Sequence, residues 1–221
     1  MELIEYPDAE MMMMQLADKL ASEISKCLAA HDHVSLAVPG GTTPGPVFDT
    51  LSGANLHWDR VHVLLTDERK VPADHERSNE RLLRERLLTD KAAAAQFIRL
   101  VPGPGVSMED LGSRIAPELP LSILVLGMGA DMHCASLFPG SPQLAAALDQ
   151  KAPPVMEVEA PEGLEPRITL TGPVLRGALS THVVITGAEK RAALDRARKL
   201  KPEEAPIAAV LGEATVHWAE E

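Results

Sequence analysis

An acid and an imidazole two residues apart, Asp131 and His133, directly follow the apolar run Leu121-Ser122-Ile123-Leu124-Val125-Leu126. That run reads as a buried parallel strand ending at Gly127 and Gly129. The pair therefore falls in the turn at a strand's carboxyl end, where open α/β sheets bind ligands. A neutral histidine near pH 7 can take a proton from water, and a neighbouring carboxylate can hold its tautomer. After the turn, Ala135-Ser136-Leu137-Phe138 reads as the start of a short helical piece.

Other strand ends carry complementary chemistry. Val34-Ser35-Leu36-Ala37-Val38 reads as the first strand and runs into Pro39-Gly40-Gly41-Thr42-Thr43-Pro44, ahead of a helix around Val47 to Leu51. Consecutive glycines let backbone N–H groups approach an anion, the threonines add donors, and a helix start favours negative charge. The Gly40 to Gly45 spacing imitates a nucleotide loop, but Pro46 stands where the lysine must be, which disfavours ATP. The strand from Val61 to Thr66 ends in Asp67-Glu68-Arg69, a run of charge that must be exposed in a cleft or paired. Ser78 caps a helix expected to run through Leu88. Arg167 lies among the β-prone residues Ile168-Thr169-Leu170, and Lys190 follows the strand His182 to Thr186. Three cations and a glycine loop suggest a phosphate, and Asp131 with His133 suggests proton transfer.

The elements that must hold these groups alternate. Asp8 caps a helix over Glu10 to Ala30, whose Met12, Leu16, Leu20, Ile24 and Leu28 share one face; the Met11 to Met14 run reads as flexible core filler. His31 and His33 have a spacing that metal ligands can use, but no third ligand is evident nearby, and a solvated turn is expected. A strand at Phe97 to Val101, a break at Pro102-Gly103-Pro104-Gly105 and a helix from Met108 to Ile115 precede the central stretch. Beyond it come a helix over Pro142 to Leu148, a strand from Val155 to Glu159, and a helix from Pro173 to Ala178. A last long helix follows Gly187, and the tail from Ile207 to Trp218 reads as a helix turn and an edge strand. This alternation predicts an α/β fold, a mostly parallel sheet with helices on both faces, in one domain spanning residues 1–221.

Composition narrows the partners. A net charge of −11 and 3% aromatics argue against a nucleic acid or an anionic membrane, both of which need a basic face. The two cysteines, Cys27 and Cys134, offer no disulfide framework and suit a reducing cytoplasm. The N-terminus is acidic where a signal peptide is basic, and no apolar run approaches a membrane span. Among alternative mechanisms, Cys134 has no separate activating partner, and no G-x-S-x-G elbow is present. Gly127-x-Gly129-x-x-Met132 misses the third glycine of a dinucleotide fingerprint, and Asp131 would repel a pyrophosphate.

Four segments in order carry a resemblance: Asp67-Glu68-Arg69-x-Val71-Pro72 with Ser78-Asn79; Gly127-Met128-Gly129-Ala130-Asp131-x-His133 through Pro139-Gly140; Pro166-Arg167-Ile168-Thr169-Leu170-Thr171; and Gly187-x-x-Lys190. Together they resemble the 6-phosphogluconolactonases of the glucosamine-6-phosphate isomerase/6-phosphogluconolactonase family. The resemblance implies a modified Rossmann-like α/β sandwich similar to glucosamine-6-phosphate deaminases and ribose-5-phosphate isomerases. It also implies hydrolysis of 6-phospho-D-glucono-1,5-lactone to 6-phosphogluconate in the oxidative pentose phosphate pathway, with no cofactor and no obligatory metal. By the same resemblance His133 is the general base and Asp131 orients it. Gly40, Gly41, Thr42, Arg69, Arg167 and Lys190 hold phosphate and sugar, and Asp67 pairs with Arg69 or binds a sugar hydroxyl. A monomer or small homo-oligomer is expected. The family often has glycine at the position of Met132 and threonine at that of Cys134. A φ above zero at Met132 would strain it. The rivals are a deaminase or isomerase of the glucosamine-6-phosphate type and a non-catalytic sugar-phosphate binder. The former usually follows its histidine turn with asparagine-glutamate-proline, where this chain has Ser136 to Gly140.

Overall fold

The structure, a computed structural model, describes residues 1–103 and 105–220; Pro104, part of the expected break, lies outside them. The chain opens with β1 (Glu2–Tyr6), a strand its acid-rich sequence conceals. Helix α1 (Ala9–Ala30) starts where Asp8 accepts a hydrogen bond from the Met11 amide. Its Met12, Leu16, Leu20 and Ile24 are fully buried, whereas Met14 is 48% exposed, so the methionine run is core on one side only. Each such burial is worth about 1.5–3 kcal/mol, more than any ordinary difference in helix propensity.

There follow β2 (Val34–Val38), α2 (Gly45–Ser52), β3 (Val61–Leu65), β4 (Asp67–Arg69), α3 (Asn79–Arg86) and β5 (Gln96–Ile98). The middle of the chain forms α4 (Met108–Ile115), β6 (Ile123–Gly127), α5 (Leu144–Leu148), β7 (Val155–Val158), β8 (Arg167–Leu170) and α6 (Gly172–Arg176). The last elements are β9 (Ser180–Thr186), α7 (Ala188–Ala197), α8 (Ala208–Leu211) and β10 (Thr215–Ala219).

Seven strands pair in parallel in the order β1-β10-β9-β6-β2-β3-β5. The chain leaves β2 toward β3 and β5, and leaves β6 toward β9. The β2–β6 boundary is therefore a switch point, and crossovers running away from it in opposite directions place helices on both faces when they follow the right-handed rule for parallel connections. All five residues of β2 are buried, as a strand covered on both faces requires. Two expectations about the sheet change. β10 lies inside it between β1 and β9, and β1 takes the edge, because the first strand pairs along the whole of the last.

A second sheet, β4-β8-β7, is antiparallel and rides on the carboxyl end of the first. Thr66 joins the two: its amide donates to Val38 O at 2.9 Å, and its carbonyl accepts from the Leu170 amide at 2.9 Å. The charged run after β3 is thus a strand of this small sheet. Ala135 to Phe138 is not helical either. Cys134 and Leu137 form an isolated bridge closed by Leu137 N to Cys134 O at 3.0 Å, with Ala135 at φ 49°.

Candidate active site

β6 delivers the turn. The Gly129 amide donates to His133 O at 3.0 Å, and the Met132 amide returns to Gly129 O at 2.9 Å, closing a tight loop over five residues. The closure holds Met132 at φ 69°, the left-handed region where a side chain is disfavoured. From behind, the Ile207 amide donates to Met132 O at 3.1 Å and anchors the loop to the body of the protein.

Within the loop Asp131 Oδ1 lies 2.5 Å from His133 Nδ1 and accepts from the His133 amide at 3.2 Å. With Nδ1 engaged, Nε2 is the nitrogen left for a reacting group. The hydrogen bond from His133 holds the Asp131 carboxyl below the usual carboxylate range, against the opposing effect of partial burial. A Cβ on Gly129 would lie 2.2 Å from His133 Nδ1, so this glycine makes room for the imidazole. The Phe138 ring packs against it at 4.9 Å between centroids.

His133 faces a cleft of about 420 Å³ shared with Gly40, Gly41, Asp67, Arg69, Arg167 and Lys190, all expected from sequence. The cleft opens at the carboxyl ends of β2, β3, β6 and β9, across the switch point. Thr42 does not line it; the turn leaves Thr42 exposed and places Thr43 on the cleft instead. Asp131 stands beside His133 but outside the lining.

The small sheet carries two of the cations. Arg69 and Arg167 are direct partners across β4 and β8. Arg69 Nη1 donates to Asn79 Oδ1 and to Arg77 O, both at 2.7 Å, while its buried Nε has no partner among the described residues. Glu68, one residue earlier, is buried and accepts from the Asn79 and Glu80 amides at 2.8 and 2.6 Å. Burial raises its carboxyl, and these donors pull it back. It is a structural carboxylate, seating the start of α3 behind Arg69. Asp67 does not pair with Arg69. Its Oδ2 accepts from the Ser136 hydroxyl at 2.5 Å and stands 3.8 Å from Arg167, tying β4 to the turn that carries His133. Arg167 is itself buried, which lowers its pKa; Asp67 counters this and the Arg69 guanidinium adds to it. Lys190, in the first turn of α7, has no ion-pair partner among the described residues.

Thr43, one of the two threonines expected to donate, and Asn79, from the Ser78-Asn79 segment, also line the cleft, as do Phe138 and Arg77, which the sequence does not mark as site residues. Arg77 is one cation in a polar stretch, and only the fold turns it inward. Cys134 is fully buried, and desolvation, followed by the Asp67 charge, pushes its thiol up to about 12. A thiol held protonated cannot serve as nucleophile.

The arrangement has relatives. Residues 7–218 match the family described as glucosamine-6-phosphate isomerases/6-phosphogluconolactonase. A 6-phosphogluconolactonase of Rhizobium meliloti is 38% identical, covering 99% of this chain and 98% of the relative. One from Pseudomonas aeruginosa is 40% identical over 92% and 88% of the two chains. The crystal structure of a 6-phosphogluconolactonase from Shewanella baltica superposes with a TM-score of 0.92 at 30% identity, covering 99% and 97%. Matched along nearly its whole length in sequence and in fold, the chain belongs to the glucosamine-6-phosphate isomerase/6-phosphogluconolactonase family.

Proposed function

We propose that the chain hydrolyses 6-phospho-D-glucono-1,5-lactone to 6-phospho-D-gluconate, the lactone-opening step of the oxidative pentose phosphate pathway. The observation that carries this reading is one cleft holding both an Asp131-oriented imidazole and the cations Arg69, Arg77, Arg167 and Lys190. The cations, with the Gly40-Gly41 backbone, hold the phosphate and the sugar edge. A chain of net charge −11 that gathers four cations around one cavity provides a local field for an anionic substrate.

With the lactone fixed, His133 Nε2 takes a proton from water as its oxygen bonds to the ring carbonyl carbon. The tetrahedral intermediate collapses by breaking the bond to the ring oxygen, and the imidazolium returns its proton there. The product is an open-chain acid with a free hydroxyl. Asp131 keeps the Nδ1 proton in place and stabilises the imidazolium. General-base catalysis of this kind supplies about 10²–10⁴-fold, and the rest comes from positioning by the phosphate.

We further propose a single domain acting in the cytoplasm as a monomer or small homo-oligomer. No helix among the described residues is long and apolar enough to cross a membrane. Freshly generated lactone, followed with and without protein to subtract spontaneous opening, tests the reading; equal rates would overturn it. Glucosamine-6-phosphate offered in parallel tests the deaminase reading, which the Ser136 to Gly140 segment disfavours: here Ser136 is bound to Asp67 and Phe138 packs against the imidazole.

A further inference from the structure

The amino ends of the sheet, opposite the cleft, hold a second chemical cluster. Three neighbouring strands each contribute one residue: His33 immediately before β2, His62 as the second residue of β3, and Glu118 in the turn ahead of β6. His62 Nδ1 lies 3.0 Å from both Glu118 carboxylate oxygens, and His33 Nε2 lies 3.4 Å from Oε2. The imidazoles stack with centroids 4.3 Å apart and planes 18° from parallel. One donor atom from each residue falls within 4.8 Å of the others. His31, the other half of the His31–His33 spacing, is not among them; the third ligand sought near it in sequence comes from Glu118, eighty-five positions beyond His33.

We propose that His33, His62 and Glu118 form a binding site for a divalent transition-metal ion of the zinc class, separate from the catalytic cleft. Two imidazole nitrogens and a carboxylate oxygen are the donor set such an ion prefers. With metal–ligand bonds of about 2.0–2.2 Å, adjacent ligands of a tetrahedral or octahedral ion stand roughly 3.0–3.5 Å apart. The separations from Glu118 oxygen to the two nitrogens already match that edge.

Charge points the same way. The Glu118 side chain is 7% exposed, and among the described residues its ion-pairing neighbours are the two imidazoles, with no lysine or arginine. Arg60, two residues from His62, is occupied with the carbonyls of Leu28, His31 and Asp32 at the end of α1. A buried carboxylate without a fixed cation is costly, and a bound divalent ion supplies the missing charge. The site is anchored by Ser35 Oγ, which donates to Glu118 O at 2.9 Å. The His33 side chain is 41% exposed, which leaves an approach for the ion and room for water ligands.

The test uses the purified full chain, stripped with chelator and titrated with zinc chloride in a calorimeter, and with cobalt(II) in an absorption spectrometer. Saturable binding of one equivalent is expected, with visible cobalt bands and a rise in melting temperature. His33→Ala, at a partly exposed position ahead of β2, should fold normally and weaken binding by about 100-fold or more, since changes even to groups behind metal ligands cost about 10–100-fold. Glu118→Gln should do the same. His133→Ala is the control for zinc captured in the cleft and should retain the site. Binding lost in His133→Ala but kept in His33→Ala would overturn the proposal, as would no saturable binding at all. His33→Ala should leave lactone hydrolysis unchanged, so the metal site and the proposed activity stand or fall separately.

Discussion

Arg69 and Arg167 face one another directly across the antiparallel pair β4 and β8, and both line the same cleft. Like charges in that relationship normally oppose pairing by roughly 0.2–1 kcal/mol. Asp67 offsets part of the repulsion at 3.8 Å from Arg167, and the Arg69 Nε remains an unused buried donor. An anion bound between the two guanidiniums, as proposed, would resolve both features.

Inorganic phosphate or 6-phosphogluconate should therefore raise the melting temperature of the protein, by about 2.7 kcal/mol of added stability at a hundred times its Kd. Arg69→Met should abolish much of that shift. Differential scanning fluorimetry across a phosphate series decides it; an equal shift in the variant would place the anion elsewhere.

Lys190→Ala separates affinity from folding. Because Lys190 has no ion-pair partner among the described residues, its loss should leave the melting temperature within a degree or two. A hydrogen bond to a charged group is worth about 1.5–3 kcal/mol, so KM for the lactone should rise roughly ten- to a hundredfold. An unchanged KM would remove Lys190 from the phosphate site.

Gly129→Ala and His133→Ala should fail for different reasons with the same kinetic signature. His133→Ala removes the base and should lower kcat by about 10²–10⁴-fold while sparing affinity for 6-phosphogluconate. In Gly129→Ala the added methyl lies 2.2 Å from Nδ1 and 2.4 Å from Asp131 Oδ1, so the imidazole must move while the phosphate site stays. A displacement of that order costs about 10²-fold. Turnover like that of the parent in either variant would contradict the assignment.

Met132→Gly tests whether the strained turn is merely tolerated. Relief of the left-handed conformation is worth about 1–2 kcal/mol, set against loss of a half-buried side chain packed on the core, so net stability should shift by less than about 1 kcal/mol. Met132→Val, with a β-branched side chain at φ 69°, should be clearly less stable than either. Urea midpoints of the three proteins make the comparison.

Acid should weaken the fold through a buried relay far from the cleft. Tyr6 Oη is 2.7 Å from His217 Nδ1, His217 Nε2 is 3.0 Å from His182 Nδ1, and His182 Nε2 is 2.9 Å from Glu23 Oε2. Burial, followed by charge interactions with His182 and Lys19, pushes His217 from 6.5 down to about 3, against Glu23. Burial pushes Glu23 up, but hydrogen bonding and charge interaction with His182, aided by Ser180 and Lys19, bring it from 4.5 to about 2. Both groups bind protons more readily when unfolded. Stability is thus full above about pH 6.5 and falls as pH drops toward 3, with His217 alone removing roughly 3 kcal/mol by pH 4. Urea unfolding from pH 7 to 4 measures the slope, and His217→Gln should flatten it.

The sequence exposed the parts of this site that sit at ends of apolar strands. Val34 to Val38, Leu121 to Leu126 and His182 to Thr186 announce themselves by buried runs, and Gly40, His133 and Lys190 follow from where those runs stop. β1 stayed hidden because half-exposed edge residues need no apolar pattern. The small sheet stayed hidden because Asp67-Glu68-Arg69 owes its strand form to partners a hundred residues away, not to propensity. Thr42 and Thr43 cannot be told apart by type; only the turn's backbone decides which one meets the cleft. The pairing of His33 with Glu118 is likewise a product of topology, since spacing along the chain says nothing about neighbours across a sheet.

The Thr66 joint has a consequence for how the protein can change. The proposed base, His133, is carried by the parallel sheet and two guanidiniums by a small sheet attached through Thr66 and the Asp67–Ser136 hydrogen bond. β4 and β8 are bonded to the His133 turn through Asp67 and Thr169, so remodelling the segment between β7 and β8, whose Leu164 lines the cleft, is the change that can retune which phosphorylated ring is held without rebuilding that turn. On the proposed roles, directed evolution for new lactones should accumulate its changes in that connecting segment and spare β4 and β8.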